Sequence, residues 1–256
     1  MFSSTDYDKL LQIMEESPEK EALLSRLLKS HQMTISTISH EIRNPLTLVY
    51  STLQLIESQH PEVLTFKHWD QLRQDVEFMK LLLEELSRYN NGERIQTDFI
   101  DTNRFFKTLA LSFATSLIDT DIVFTSKIEP NLPAIAIDSL KLKECLLNLL
   151  GNAKDAVSDI APSSNAVISF HVHLCTDSLE IVVTDNGPGI SQEILPHIFE
   201  PFVTHKQGGT GLGLAIASRV AKAHGGSLAV SSVPGVQTSF ILTLPIQKDC
   251  QNKSTD

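Results

Sequence analysis

Three observations predict an α+β protein in which an N-terminal helical hairpin precedes a separate α/β layer domain. Over the first 90 positions, apolar residues recur at intervals of three and four, the period of helices packed along one stripe. Asn90-Asn91-Gly92 then breaks the pattern. Beyond it, short runs of alternating apolar and polar residues lie between helix-period segments, as in a sheet covered by helices.

The elements follow in order. Residues 4–30 read as helix, with Leu10, Leu11, Ile13, Met14, Leu23, Leu24, Leu27 and Leu28 in phase, and Ser17-Pro18 dividing it into two short pieces. From His31 to about Ser58 a second seam runs through Ile35, Ile38, Ile42, Val49, Leu53 and Ile56. Pro45 lies inside it, where it must bend the helix or leave a carbonyl unpaired. After Gln59-His60-Pro61, a helix beginning near Phe66 carries Trp69, Leu72, Val76, Met79, Leu83 and Leu86. Two helices with one stripe each cover it poorly alone, so pairing with a second copy into a dimeric four-helix bundle is expected. The later chain reads as a helix over 103–117, strands over 121–128 and 134–137, and a helix over 139–157. Strands over 166–174 and 178–184, a helix over 211–224, and strands over 227–232 and 237–244 complete it. The domain boundaries predicted are 1–30 for a linker or input segment, 31–95 for the hairpin, 98–247 for the α/β domain, and 248–256 for a disordered tail.

Composition narrows the setting. A formal net charge of −10, with no Lys/Arg cluster in the sequence, argues against non-specific binding to nucleic acid. No apolar run reaches the roughly 18–20 residues of a membrane span, and the N-terminus is too acidic for a signal peptide. The three cysteines, Cys145, Cys175 and Cys250, show no CxxC or Cys/His ligand spacing, which disfavours a disulfide framework or a structural zinc and favours a reducing cytoplasm.

Several segments carry chemistry. Asp185-Asn186-Gly187-Pro188-Gly189-Ile190 follows an apolar strand, and its glycines permit positive φ and close approach of a flat ligand; an ordinary tight turn explains it equally well. Gly208-Gly209-Thr210-Gly211-Leu212-Gly213-Leu214 opens a helix, so its amides can cradle phosphate, or it serves as a hinge. Asn148, Asn152 and Asp155 share one polar helix face, where side-chain oxygens suit Mg²⁺ with a triphosphate, or are solvated. His40, followed by Glu41 and one turn later by Asn44, lies just ahead of Pro45. The other histidines lack such a setting; His171 and His173, for example, alternate along one strand face.

Read together, the order HEIRNPL, NLLGNAKDAV, DNGPGI, Phe199-Glu200-Pro201-Phe202 and GGTGLGL resembles the two-component sensor histidine kinases, across residues 31–246 and most closely their soluble nitrogen-regulator class. The resemblance implies a Bergerat-type ATPase sandwich as the second domain, with ATP and Mg²⁺ as cofactors. It implies that His40 accepts a phosphoryl group and that Glu41 orients the ring and takes its proton. Asn44 either positions water for phosphatase action or is purely structural. Asp185 would bind the adenine amino group, Gly187 and Gly189 shape the base loop, and Asn152 ligates the metal beside Asn148. Gly209, Thr210, Gly211, Leu212 and Gly213 would form the phosphate side, under a lid that includes Phe199, Phe202 and Lys206; Lys206 either contacts phosphate or is solvated. Asp155 stands where the family often has a basic residue, so a phosphate contact from that position is in doubt. The implied partners are a response regulator receiver domain, a second copy and an upstream sensory protein. The alternatives are a Bergerat-type ATPase or serine kinase regulating a partner, or a phosphotransfer scaffold.

Overall fold

A computed structural model describes residues 17–91, 95–158, 165–204, 206 and 208–246. Helix α1 spans Pro18–Gln59 and α2 spans Trp69–Asn91, joined through a short 3₁₀ turn over Pro61–Thr65. Ser17 caps α1, its hydroxyl accepting from Glu19 N at 3.2 Å, and Pro18 fits the first turn because its missing N–H has no partner there. Two short pieces with a fresh helix at His31 were expected. Instead α1 runs unbroken for 42 residues, because no Gly or Pro stands between Glu19 and Asn44; the expected segment before Ser17 lies outside the described residues. The helix also continues through Pro45, so the cost falls on the Glu41 carbonyl, which has no N–H four residues on. The second helix starts at Trp69 rather than Phe66, the preceding residues being taken up by the 3₁₀ turn and by His68 at φ 71°.

Among the described residues, Leu53, Val63 and Val76 are the buried apolar residues of the hairpin. Polar contacts tie its two arms: Trp69 Nε1 donates to Glu57 Oε1 at 2.9 Å, and Lys80 Nζ lies 5.0 Å from the Tyr50 ring centroid.

The rest comprises β1 (Asp98–Ile100), α3 (Thr102–Thr115), β2 (Val123–Ile128), β3 (Ile135–Ile137), α4 (Ser139–Ser158), β4 (Val167–Leu174), β5 (Ser178–Asp185), α5 (Gly213–Ala223), β6 (Ser227–Val233) and β7 (Gln237–Pro245). Strand β1, three residues long, is too short to show a period, and only its antiparallel pairing with β3 reveals it. The main sheet has the order β2-β4-β5-β7-β6, parallel between β2 and β4 and antiparallel elsewhere. Burial alternates along β5, so Leu179, Ile181 and Val183 enter the core and Asp185 is the next inward position. Leu142, Leu146, Leu149 and Leu150 of α4 bury one face at period 3.6, which turns Asn148 and Asn152 to the half-exposed side.

By their contacts the residues form two compact units, one up to Asn91 together with Glu200–Leu212, and one of Gly92–Phe199 with the chain from Gly213.

Candidate functional site

In the first unit, His40 is exposed on α1. Its Nδ1 lies 3.3 Å from Arg43 Nη1, while Arg43 Nη2 donates to the Leu83 carbonyl of α2 at 3.4 Å. A guanidinium only donates, so Nδ1 is the acceptor and the neutral ring carries its proton on Nε2. The carboxylate expected to orient His40 does not touch it: among the described residues the ring bonds to Arg43 and not to Glu41. Neighbouring residues on a helix point about 100° apart, whereas residues three and four apart meet. Asn44 is exposed and makes no side-chain hydrogen bond among the described residues, so it caps nothing.

The glycine segment 208–212 lies in this same unit. The Thr210 hydroxyl donates to the Glu85 carboxylate of α2. Leu212 N donates to Thr210 Oγ1 at 3.3 Å, Gly209 N to the Lys206 carbonyl at 3.2 Å, and Phe202 N to the Gly211 carbonyl at 2.9 Å. Two amides expected to cradle phosphate, those of Gly209 and Leu212, are therefore bonded within the segment. Glu85 had no motif to mark it in the sequence. Lys206 is exposed, as is Phe202, whose backbone adopts φ 66°.

In the second unit, Asp185 is 2% exposed at the end of β5, and its Oδ1 accepts from Gly187 N at 2.9 Å. The two glycines that follow are needed by the protein itself. A Cβ on Gly187 would lie 2.7 Å from Asp185 Oδ1 and 3.0 Å from the Ala156 side chain; one on Gly189, at φ 73°, would lie 2.6 Å from the Val233 carbonyl. The room left by the missing side chains is thus filled by Asp185, α4 and the β6–β7 turn, which lock the carboxylate in place.

The same contacts seat the Asp185–Gly187 turn on Ala156, one turn of α4 beyond Asn152. Asn148 Nδ2 donates to the Gly213 carbonyl at 3.4 Å, which joins α4 to the start of α5. The fold therefore brings the asparagine helix, the Asp185 turn and the first residue of α5 together, which chain order alone could not show. Asn152 is half-exposed and Asp155 exposed. Lys154 does not replace the missing basic residue, because its Nζ donates to the Ser116 carbonyl at 3.1 Å. Phe199 packs edge-on to Phe240, with ring centroids 6.5 Å apart.

Asp138 holds the N-terminus of α4, its Oδ1 accepting from Lys141 N at 3.0 Å and its Oδ2 from Gln96 N at 2.9 Å. Partial burial, the largest single influence, pushes its pKa up; the hydrogen bonds from the Gln96, Lys141 and Leu140 amides more than offset that and hold it below the ordinary carboxylate value. Asp138 N in turn donates to His224 Nε2 at 3.0 Å, and His224 Nδ1 lies 2.8 Å from the Val220 carbonyl. His224 is thus a buried strut between α4 and α5.

Residues 137–248 match the family model described as "Histidine kinase-, DNA gyrase B-, and HSP90-like ATPase". The chain is 28% identical over 233 residues, 91% of its length, to the signal transduction histidine-protein kinase AtoS of Escherichia coli K12, of which those residues are 37%. Among other curated kinases that it matches, it spans 54% of sporulation kinase C of Bacillus subtilis. The structure resembles full-length ShkA in complex with AMPPNP, with a TM-score of 0.70 and 23% identity over 84% of this chain and 46% of that one. It also resembles histidine kinase ThkA in complex with response regulator protein TrrA, with a TM-score of 0.61 and 22% identity over 92% of this chain and 67% of that one. No helix among the described residues is long and apolar enough to cross a membrane. The chain thus matches a histidine kinase-type ATPase-domain model over residues 137–248 and is similar along about nine tenths of its length to curated sensor histidine kinases.

Proposed function

We propose that the protein is an ATP-dependent protein histidine kinase that phosphorylates its own His40 and passes the phosphoryl group to an aspartate of a response regulator receiver domain. The exposed imidazole of His40, in a chain whose residues 137–248 match an ATPase domain, is the observation that carries this reading. Residues 31–95 are the dimerisation and phosphoacceptor domain on this reading, and residues 98–247 bind ATP. Asp185 accepts from the adenine amino group, held ready by Gly187 N. Asn152, with Asn148 one turn before it, would hold Mg²⁺ through side-chain oxygens, and their half-exposed face of α4 fits such a hard ion. The ion, when bound, neutralises triphosphate charge.

For His40 to react, one ring nitrogen must present a lone pair to the γ-phosphorus. With the Nδ1 lone pair engaged by Arg43 and Nε2 protonated, neither nitrogen does so. The arrangement is a resting one, and release of Arg43 with a change of tautomer precedes reaction. Glu41 then becomes the proton acceptor once the ring turns toward it. Asn44, exposed one turn beyond His40, would on this reading hold water for hydrolysis of the regulator's acyl phosphate. The similarity to histidine kinase ThkA, a protein seen in complex with response regulator protein TrrA, supports that class of partner.

The test is incubation with γ-labelled ATP. Wild type is expected to acquire acid-labile, base-stable label, and His40→Gln none while still binding ATP. Label on His40→Gln at the wild-type level would refute the assignment, and acid-stable label would point to a serine kinase instead.

A further inference from the structure

We propose that His173, Cys175 and Glu180 form a binding site for a divalent transition-metal ion of the zinc class, separate from the nucleotide site. Strands β4 and β5 pair with His173 directly opposite Glu180, so the two side chains leave the same face of the sheet. Cys175 follows His173 by two residues and returns to that face, and its N–H, donating to the Ser178 carbonyl at 2.8 Å, closes the hairpin turn. One ligand atom from each residue falls within 4.8 Å of the others.

His173 Nε2 and Glu180 Oε2 stand 3.1 Å apart. Two donors sharing a tetrahedral ion at about 2.0–2.1 Å lie roughly 3.3 Å from each other, so this pair is already at coordination spacing. Cys175, half-exposed at the turn with its ligand atom within 4.8 Å of the other two, would complete a set of nitrogen, sulfur and oxygen. Imidazole with thiolate selects zinc-like ions over Mg²⁺. Three protein ligands leave the fourth position to water, an open and exchangeable site.

The site lies on the outer face of β5, whereas Asp185 lies on the inner face five residues on, roughly 17 Å along the strand at about 3.4 Å per residue. Cysteine spacing did not disclose it, because the third ligand comes from the neighbouring strand. Cys145 cannot substitute: it is buried, and burial pushes its thiol up to about 12.

The test is titration of the metal-free 256-residue chain with Co²⁺ alone, followed by Zn²⁺ and Mg²⁺. A thiolate-to-Co²⁺ charge-transfer band should saturate at one ion per chain, be displaced by Zn²⁺, and be indifferent to Mg²⁺. Cys175→Ser should abolish the band, and His173→Gln and Glu180→Gln should each weaken binding at least about tenfold. ATP affinity should stay unchanged in all three, which reports that they fold. Absence of a band in wild type would reduce His173 and Glu180 to an ion pair, and a band surviving Cys175→Ser would assign the thiol elsewhere; either result overturns the proposal.

Discussion

Arg43, not Glu41, meets the imidazole of His40, and the helix period explains it: three residues bring side chains over one another, while one residue turns them apart. The guanidinium spans two helices, since its other Nη reaches the Leu83 carbonyl, so movement of α1 against α2 is felt at the histidine. Replacing Arg43 by Met keeps the aliphatic stem and removes the donor. In ¹⁵N spectra of imidazole-labelled protein, with the His40 signals assigned by their loss in His40→Gln, Arg43→Met should move the ring from Nε2–H toward Nδ1–H. An unchanged tautomer would show that Arg43 does not set it.

At the scale of elements, α4 is held at its start by Asp138 and carries Asn148 and Asn152 further along. Asp138→Ala leaves the Lys141 and Gln96 amides without acceptors, and loss of such a cap costs about 1 kcal/mol. The sign of the pH dependence follows from the depressed pKa. The carboxylate's contribution is complete above its unfolded-chain value, near about 3.9, and is lost as pH falls through the lower folded value. Urea denaturation at pH 7 should therefore separate wild type from Asp138→Ala by about that energy, and the gap should close below about pH 4. A constant gap down to pH 2 would assign the loss to packing.

For the molecule as a whole, the proposed dimer would bury the exposed seam of the hairpin. Ile42, Leu72 and Met79 are 48%, 46% and 44% exposed in a single chain, although they continue the stripe whose Leu53 and Val76 are buried. Burial of apolar surface contributes about 25 cal/mol per Å², so a second hairpin packed on this seam is favourable. Sedimentation should give twice the chain mass for wild type and the single-chain mass for Leu72→Glu/Met79→Glu, with helicity largely retained. A wild-type monomer at micromolar concentration would remove the dimer from the reading.

The sequence by itself determined the order of helices and strands after residue 100 to within a few positions, because each has a period of its own that survives in the linear text. It also singled out His40, Asn152, Asp185 and the glycines as candidates for the chemistry, since they stand in recognisable strings. The division expected at residues 30 and 31 was wrong: α1 is one unbroken helix, and Leu28, Ile35, Ile42, Val49 and Ile56 keep one heptad phase through it. The sequence also could not show partners drawn from distant positions. Arg43 on Leu83, Glu85 on Thr210, Asn148 on Gly213, and Glu180 beside His173 depend on where separate elements come to rest. Local periodicity is written along the chain, but contacts across it form only when packing sets the register, and those contacts decide which atom of His40 is engaged and which faces remain open.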